Sequence, residues 1–330
     1  MERASVDSDA TTSNLSVHKE AAMSTNQDEH KETTDQLVLQ NPVTRYESLE
    51  APKQHQPEPG LDKDLEPKTD RGQYSYRGTG RLEGRKALIT GADSGLGAAV
   101  AIAYAREGAD VALNYLPAEQ EDAEWVRDAV ADTGRKVVLL PGDLAEREAA
   151  VELVDQAAEA LGGLDILVNN AGRQIAIEDG LEALTDEQLE DVYNVNVFSF
   201  FRVTRAALKY LPAGSSIINC TSIQAYKPSP TLLDYASTKA AINNFSKGLA
   251  EQLAPKGIRV NAVAPGPFWT PLQVSDGQPK EKLPKFGQDV GLGRAGQPTE
   301  IAPAFVFLAS AESSYVVGET LNVNGGMPTP

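Results

Sequence analysis

The sequence predicts a three-layer, doubly wound α/β fold around a mostly seven-stranded parallel sheet. Three observations predict it. From Lys86 onward, short apolar runs alternate with helical stretches of about 10–15 residues, which is the rhythm of βαβ units. The apolar runs show no period-two alternation, so they read as strands buried on both faces. A glycine cluster, Gly91, Gly95 and Gly97, joins the first run to the first helix.

The elements follow in order. The spacing predicts strands at Ala87–Thr90, Val111–Asn114, Val137–Leu140 and Ile166–Asn169, separated by helices at Leu96–Glu107, Glu119–Thr133 and Ala145–Leu161. One long helix is expected over Asp186–Tyr210. A strand at Ser216–Thr221, a helix running through Leu253, a strand at Arg259–Val263, a helix at Thr299–Ser310 and a strand at Thr320–Val323 complete the chain. There is no internal repeat.

Outside this region the texture differs. Residues 1–70 carry 15 Asp and Glu against 7 Lys and Arg and almost no aromatic residues. Such a segment buries too little apolar area to offset its ordering entropy, so an unordered acidic tail is expected over 1–70. Met23 is a second candidate start. Residues 71–83, with Tyr74, Tyr76 and Leu82, read as an ordered arm, and 84–330 as a single domain.

Composition excludes several functions. The formal net charge of -17 leaves no basic face for nucleic acid or an anionic membrane. No apolar run reaches the ~18–20 residues that span a bilayer, and no cleavable leader opens the chain. With a single cysteine, Cys220, in an apolar strand, the expectation is a core thiol and a cytoplasmic protein. The three histidines, His18, His30 and His55, precede the folded region. That removes Ser-His-Asp and Cys-His catalysis and argues against zinc, so proton transfer falls to Tyr, Lys or carboxylates.

Tyr235 and Lys239 supply the candidate chemistry. Four residues apart on a helix, they share one face. An ammonium beside a phenol favours the phenolate, lowering the Tyr pKa from about 10 toward working pH. A phenol tuned in this way exchanges a proton with an alcohol or ketone. Any helical Tyr-x-x-x-Lys can instead be incidental. The loop upstream gives it company: in Thr90-Gly91-Ala92-Asp93-Ser94-Gly95-Leu96-Gly97, Gly91 permits a tight turn, Gly95 removes a Cβ facing a pyrophosphate, and Gly97 lets helix and strand pack closely. The helix N-terminus would then receive the pyrophosphate. Asp143 and Leu144 follow the third strand, where Asp143 could accept from an adenine amino group or simply cap a helix. Asn169-Asn170-Ala171-Gly172 ends the fourth strand, at the edge where such sheets bind ligands.

Taken together, the Thr90–Gly97 loop, Asn169–Gly172, Ser222, Tyr235, Lys239 and Pro265-Gly266 make the sequence resemble the short-chain dehydrogenase/reductase family over roughly Leu82 to Met327, and within it a bacterial group of general oxidoreductases with an N-terminal extension. The resemblance implies a Rossmann fold and roles for individual residues. Tyr235 would be the general acid/base. Lys239 would lower its pKa and bind the nicotinamide ribose. Ser222 would hold the substrate oxygen. Asn196 would support a water relay to Lys239, with Asn194 a near rival. Pro265, Gly266 and Thr270 would contact the carboxamide, and Asn170, Ala171 and Gly172 would line the cofactor. The implied activity is NAD(P)-dependent hydride transfer between the cofactor and a small carbonyl compound or secondary alcohol. A homotetramer is implied too.

The second strand ends Asn114-Tyr115-Leu116, with neither a carboxylate for a ribose 2′-hydroxyl nor a cation for a 2′-phosphate. Asp93 would repel that phosphate, so NAD is slightly favoured over NADP. Pro267 to Val290 reads as a substrate loop, with Phe268, Trp269 and Leu272 as an apolar wall. Enoyl reductases of this fold use a longer Tyr-to-Lys spacing, and nucleotide-sugar epimerases need a larger C-terminal domain. The reading from another class is a catalytically quiet dinucleotide-binding regulatory or stress protein, which an intact Asn196, Ser222, Tyr235 and Lys239 argue against.

Overall fold

The computed structural model describes residues 35–329. Seven strands, β1 (Lys86–Thr90), β2 (Asp110–Tyr115), β3 (Val137–Pro141), β4 (Ile166–Asn169), β5 (Ser216–Cys220), β6 (Arg259–Pro265) and β7 (Thr320–Val323), form one parallel sheet in the order β3-β2-β1-β4-β5-β6-β7. The apolar runs are buried on both faces because helices cover both. On one face α1 (Gly95–Arg106), α2 (Gln120–Ala129) and α7 (Ala302–Ala309) pack Val100, Ile102, Val126 and Phe305 against Ile89, Val111 and Val263. On the other, α3 (Arg147–Leu161), α5 (Ser199–Ala207) and α6 (Leu233–Leu253) pack Leu153, Val203 and Leu249 against Leu88, Leu167 and Val260. The strand order reverses between β1 and β4. The chain leaves their carboxyl ends toward opposite sides, which opens a crevice at the switch point where open α/β sheets bind ligands.

Three helices depart from the expected spans, the first being α2, which stops at Ala129 ahead of a 3₁₀ turn at Ala131–Thr133, short of the helix expected to reach Thr133. The helix expected over Asp186–Tyr210 is α4 (Asp186–Tyr193), then a π-turn at Asn194–Phe198, then α5. A π-turn adds a residue to a helical turn, which apolar periodicity barely registers. The last helix begins at Ala302 after a 3₁₀ turn at Pro298–Glu300, because Pro303 lacks an N–H and fits only a first turn.

The larger correction concerns the tail. Residues 35–70, expected to be unordered, lie against the domain, whereas residues 1–34 fall outside the described residues. Mean composition conceals a few anchors. Leu49, Ala51 and Leu65 are buried with Trp269, Val274 and Leu283 in a separate small core. Trp269 Nε1 donates to the Pro67 carbonyl at 3.0 Å, and Arg294 donates to the Pro42 carbonyl at 2.7 Å. Trp269 thus faces this strap, not the crevice as the apolar-wall reading had it. In the arm, the Tyr76 hydroxyl and the Arg81 guanidinium converge on the buried Glu107 carboxylate, at 2.8 and 2.7 Å.

Candidate active site

The crevice at the switch point is a cleft of about 1170 Å³. One wall is the turn between β1 and α1. A Cβ at Gly97 would lie 1.9 Å from the Gly91 carbonyl oxygen, so only glycine allows this packing. Gly95, at φ +48, has a different reason from the one expected: its Cβ would meet the Thr270 side chain at 2.9 Å, across the cleft. Thr90 Oγ1 accepts the amides of Asn170 and Ala171 at 2.9 and 3.1 Å, and Asn170 Nδ2 donates back to the carbonyls of Thr90 and Gly91. The ends of β1 and β4 are thereby tied together. Asn170 acts as a brace for the glycine turn.

Beyond the glycine turn lie the ends of β2 and β3. Asn114 turns inward to the carbonyls of Leu140 and Gly142, and Tyr115 donates to Gln120 Oε1 at 2.6 Å, so both residues shape the wall through structural bonds. Asp143 is exposed and accepts the Ala145 amide at 2.9 Å in a turn ahead of α3, whose N-cap is Glu146, so the capping reading is not met, and it and Leu144 line the cleft. Ser94, Leu96, Gly172, Pro265, Gly266 and Thr270 line it too.

At the opposite end Ser222, Tyr235 and Lys239 converge. Tyr235 is 7% exposed and Lys239 2%. Lys239 Nζ lies 5.4 Å from the Tyr235 ring centre and donates to the Cys220 carbonyl at 3.1 Å. Ser222 Oγ accepts the Gln224 amide at 3.1 Å, and its hydroxyl acts on the Tyr235 phenol. Burial pushes the Tyr235 phenol above its ordinary value, with the Ser222 bond working the other way, and burial pushes Lys239 below its own. The expectation that Lys239 holds the phenol down is not met in this geometry. The phenol is desolvated, and the ammonium is directed at the Cys220 carbonyl.

The π-turn explains Asn196. It places this side chain, fully buried, inside the helix bundle: Oδ1 accepts the Arg173 amide at 2.7 Å, and Nδ2 donates to the Arg173 carbonyl at 2.9 Å and to Thr238 Oγ1 at 3.1 Å. A Cβ at Gly172 would sit 3.4 Å from Lys239 Nζ and 3.6 Å from Asn196 Oδ1, so the three residues adjoin. Asn194, the rival, instead accepts from Arg202 at 3.4 Å.

Several lining residues escaped sequence reasoning. Glu119 turns back from α2's approach, accepts the Leu116 amide at 2.7 Å and faces Asp93. Glu58 of the strap pairs with Arg173 over the cleft mouth at 3.1 Å, and Asp62 Oδ2 accepts the Gly95 amide at 2.8 Å. A charged residue four positions after a strand carries no mark of its direction, and a polar tail carries none of its path. Among the described residues no cluster of three metal-ligating side chains occurs, and no helix is long and apolar enough to cross a membrane.

A family model described as Enoyl-(Acyl carrier protein) reductase matches residues 91–328. The chain is 57% identical over 288 residues to the uncharacterized oxidoreductase YghA of Escherichia coli (strain K12), covering 87% of this chain and 98% of that protein. It is 44% identical to an NADPH-dependent chloroplastic aldehyde reductase of Arabidopsis thaliana, across 84% of this chain and 97% of that one. Among solved structures it is similar to a short chain dehydrogenase of Burkholderia cenocepacia J2315 in complex with NADP, at 34% identity and a TM-score of 0.69, over 74% of this chain and 98% of that one. With a parallel seven-stranded sheet, a glycine turn at its switch point and relatives of this closeness, the chain belongs to the short-chain dehydrogenase/reductase family of oxidoreductases.

Proposed function

We propose that this protein is an NAD(P)-dependent oxidoreductase that interconverts a small carbonyl compound and its alcohol, with Tyr235 as the general acid/base. The observation that carries the reading is the convergence of Tyr235, Ser222 and Lys239 in one desolvated end of the cleft whose other end is the glycine turn. A nicotinamide dinucleotide bound there supplies or accepts the hydride. The Thr90–Gly97 turn and the α1 N-terminus would hold its diphosphate, the β2 and β3 ends its adenosine, and Lys239, Pro265, Gly266 and Thr270 its nicotinamide half.

The residues divide the rest of the work. In the reducing direction, negative charge builds on the substrate oxygen. Ser222 and Tyr235 are placed to donate hydrogen bonds to it, and Tyr235 gives up its proton. A phenol held high by burial keeps that proton until the charge develops. Lys239, 5.4 Å from the ring centre and directed at the Cys220 carbonyl, would reach the phenolate only after turning from that carbonyl. Asn196, fixed by Arg173 and Thr238, holds the end of β4 against Lys239 and is positioned to return a proton through water. Support for NADP comes from the Burkholderia structure and the Arabidopsis enzyme, and the slight lean toward NAD finds no support among these relatives. The test is steady-state absorbance of NADPH and of NADH over a panel of aldehydes, ketones and sugars. Turnover with any carbonyl compound supports the reading. Tight dinucleotide binding without turnover across the panel contradicts it and favours a regulatory role.

A further inference from the structure

Two carboxylates meet at the adenosine end of the cleft. Asp93 comes from the glycine turn and is 1% exposed; its Oδ2 has no donor in the protein. Glu119 comes from the short turn after β2, where its Oε2 accepts the Leu116 amide at 2.7 Å. Both line the cleft beside Asn114, Tyr115 and Leu116. In folds of this kind, the adenosine ribose lies between the glycine turn and the end of the second strand. The pair therefore occupies the position from which a ribose 2′ substituent is read, although β2 itself ends without an acid.

Burial acts most on both groups; the Glu119 charge raises Asp93 further, whereas the Leu116 amide and a bond with Asp93 only partly offset burial at Glu119, which is pushed up to about 7. The other charges nearby do not relieve the pair. Asp122 of α2 adds a further negative charge. The strap's Asp62 is paired with Arg71, whose guanidinium lies 3.5 Å from the centre of the Trp125 ring. Asp122 itself is engaged by the amides of Asp62 and Lys63. A buried and a half-buried carboxylate without a cation between them share a proton, as like charges at short range cannot both ionise.

We propose that Asp93 and Glu119 act as one proton-sharing unit that reads the ribose 2′ position, so that NADP(H) binding takes up a proton from solvent at this pair and NAD(H) binding does not. A 2′-phosphate brings added negative charge beside the pair, and the complex forms only with the second carboxylate neutralised. A 2′-hydroxyl instead donates to whichever carboxylate is ionised and asks for no proton. The inference rests on the dinucleotide reading of the cleft.

The experiment is isothermal titration calorimetry of the whole protein with NADPH and with NADH, from pH 6 to 9, in two buffers of different ionisation enthalpy. Uptake of one proton weakens the NADPH Kd by about tenfold per pH unit above neutrality. Below pH ~6 that slope disappears, because the pair already holds its protons. NADH affinity stays nearly flat throughout, with no buffer-dependent heat. Glu119→Gln keeps an acceptor for the Leu116 amide and removes the charge, so it should flatten the NADPH profile and tighten NADPH at pH 8.5. Asp93→Asn provides the same result from the other partner. The phosphate's own ionisation near about 6 is common to all three proteins, so the difference between them isolates the pair. Equal pH profiles for the two cofactors, or a NADPH slope unchanged in both variants, overturn the proposal while leaving the cofactor reading intact. Failure of both dinucleotides to bind overturns both.

Discussion

Ser222 lines the end of the cleft that Tyr235 and Lys239 share, and its hydroxyl is anchored by the Gln224 amide. If it donates to the developing oxyanion, Ser222→Ala should lower kcat by about 10²–10³. Dinucleotide Kd should stay unchanged, and fluorescence titration beside steady-state kinetics separates the two. Glu107 is a residue of a different kind. Burial raises its carboxyl, but bonds from Arg81, Thr79 and Tyr76 outweigh burial and hold it at about 2. A carboxyl depressed on folding stabilises fully above its unfolded value and loses that contribution as pH falls through its folded one. Glu107→Gln should therefore be clearly less stable than wild type in urea at pH 6, with the gap narrowing toward pH 3. A gap that widens in acid would contradict this. The order and spacing of Ser222, Tyr235 and Lys239 were legible because a helix and a strand end put them where periodicity says. The Asp93–Glu119 meeting was not, since it depends on the path of a three-residue turn at Pro117–Glu119.

At the scale of elements, the strap joins parts that are distant in sequence. It pins the glycine turn through Asp62, pairs Glu58 with Arg173 at the cleft mouth, and bonds the Gln56 amide to the Val274 carbonyl at 3.0 Å in the loop after β6. Asp62→Ala removes an acceptor from a helix N-terminus, a loss of about 0.5–2 kcal/mol. Because that helix opens the proposed cofactor site, dinucleotide Kd should weaken too, and both effects are read by thermal melts with and without NADPH. Gly97→Ala is harsher, as no shift of a flexible side chain relieves a Cβ set against the Gly91 carbonyl. It should abolish dinucleotide binding, as equilibrium dialysis would show. Strands were readable because burial on both faces demands unbroken apolar runs. The strap was not, since its hold on the domain comes from Leu49, Ala51, Leu65 and a few backbone bonds scattered through a polar segment. The π-turn was hidden for the opposite reason: the apolar pattern of Val192, Val197, Phe200 and Val203 continues through it.

Across the whole molecule, the central strands are buried on both faces, yet the α5–α6 side retains apolar surface. Phe198 and Phe201 are 46% and 48% exposed, and the Phe201 ring lies 4.1 Å from that of Phe245, centre to centre. Such a face suits the proposed homotetramer. Phe201→Glu should then yield smaller species in light scattering with the fold retained by circular dichroism; an unchanged mass would place the interface elsewhere or remove it. The central claim concerns the chemistry of one proton. The measurement that tests it most directly compares wild type with Tyr235→Phe on the best carbonyl substrate, following NADPH absorbance and, separately, NADPH Kd. The account predicts turnover reduced by at least about 10²-fold with Kd unchanged. Turnover that survives the loss of the hydroxyl would contradict it.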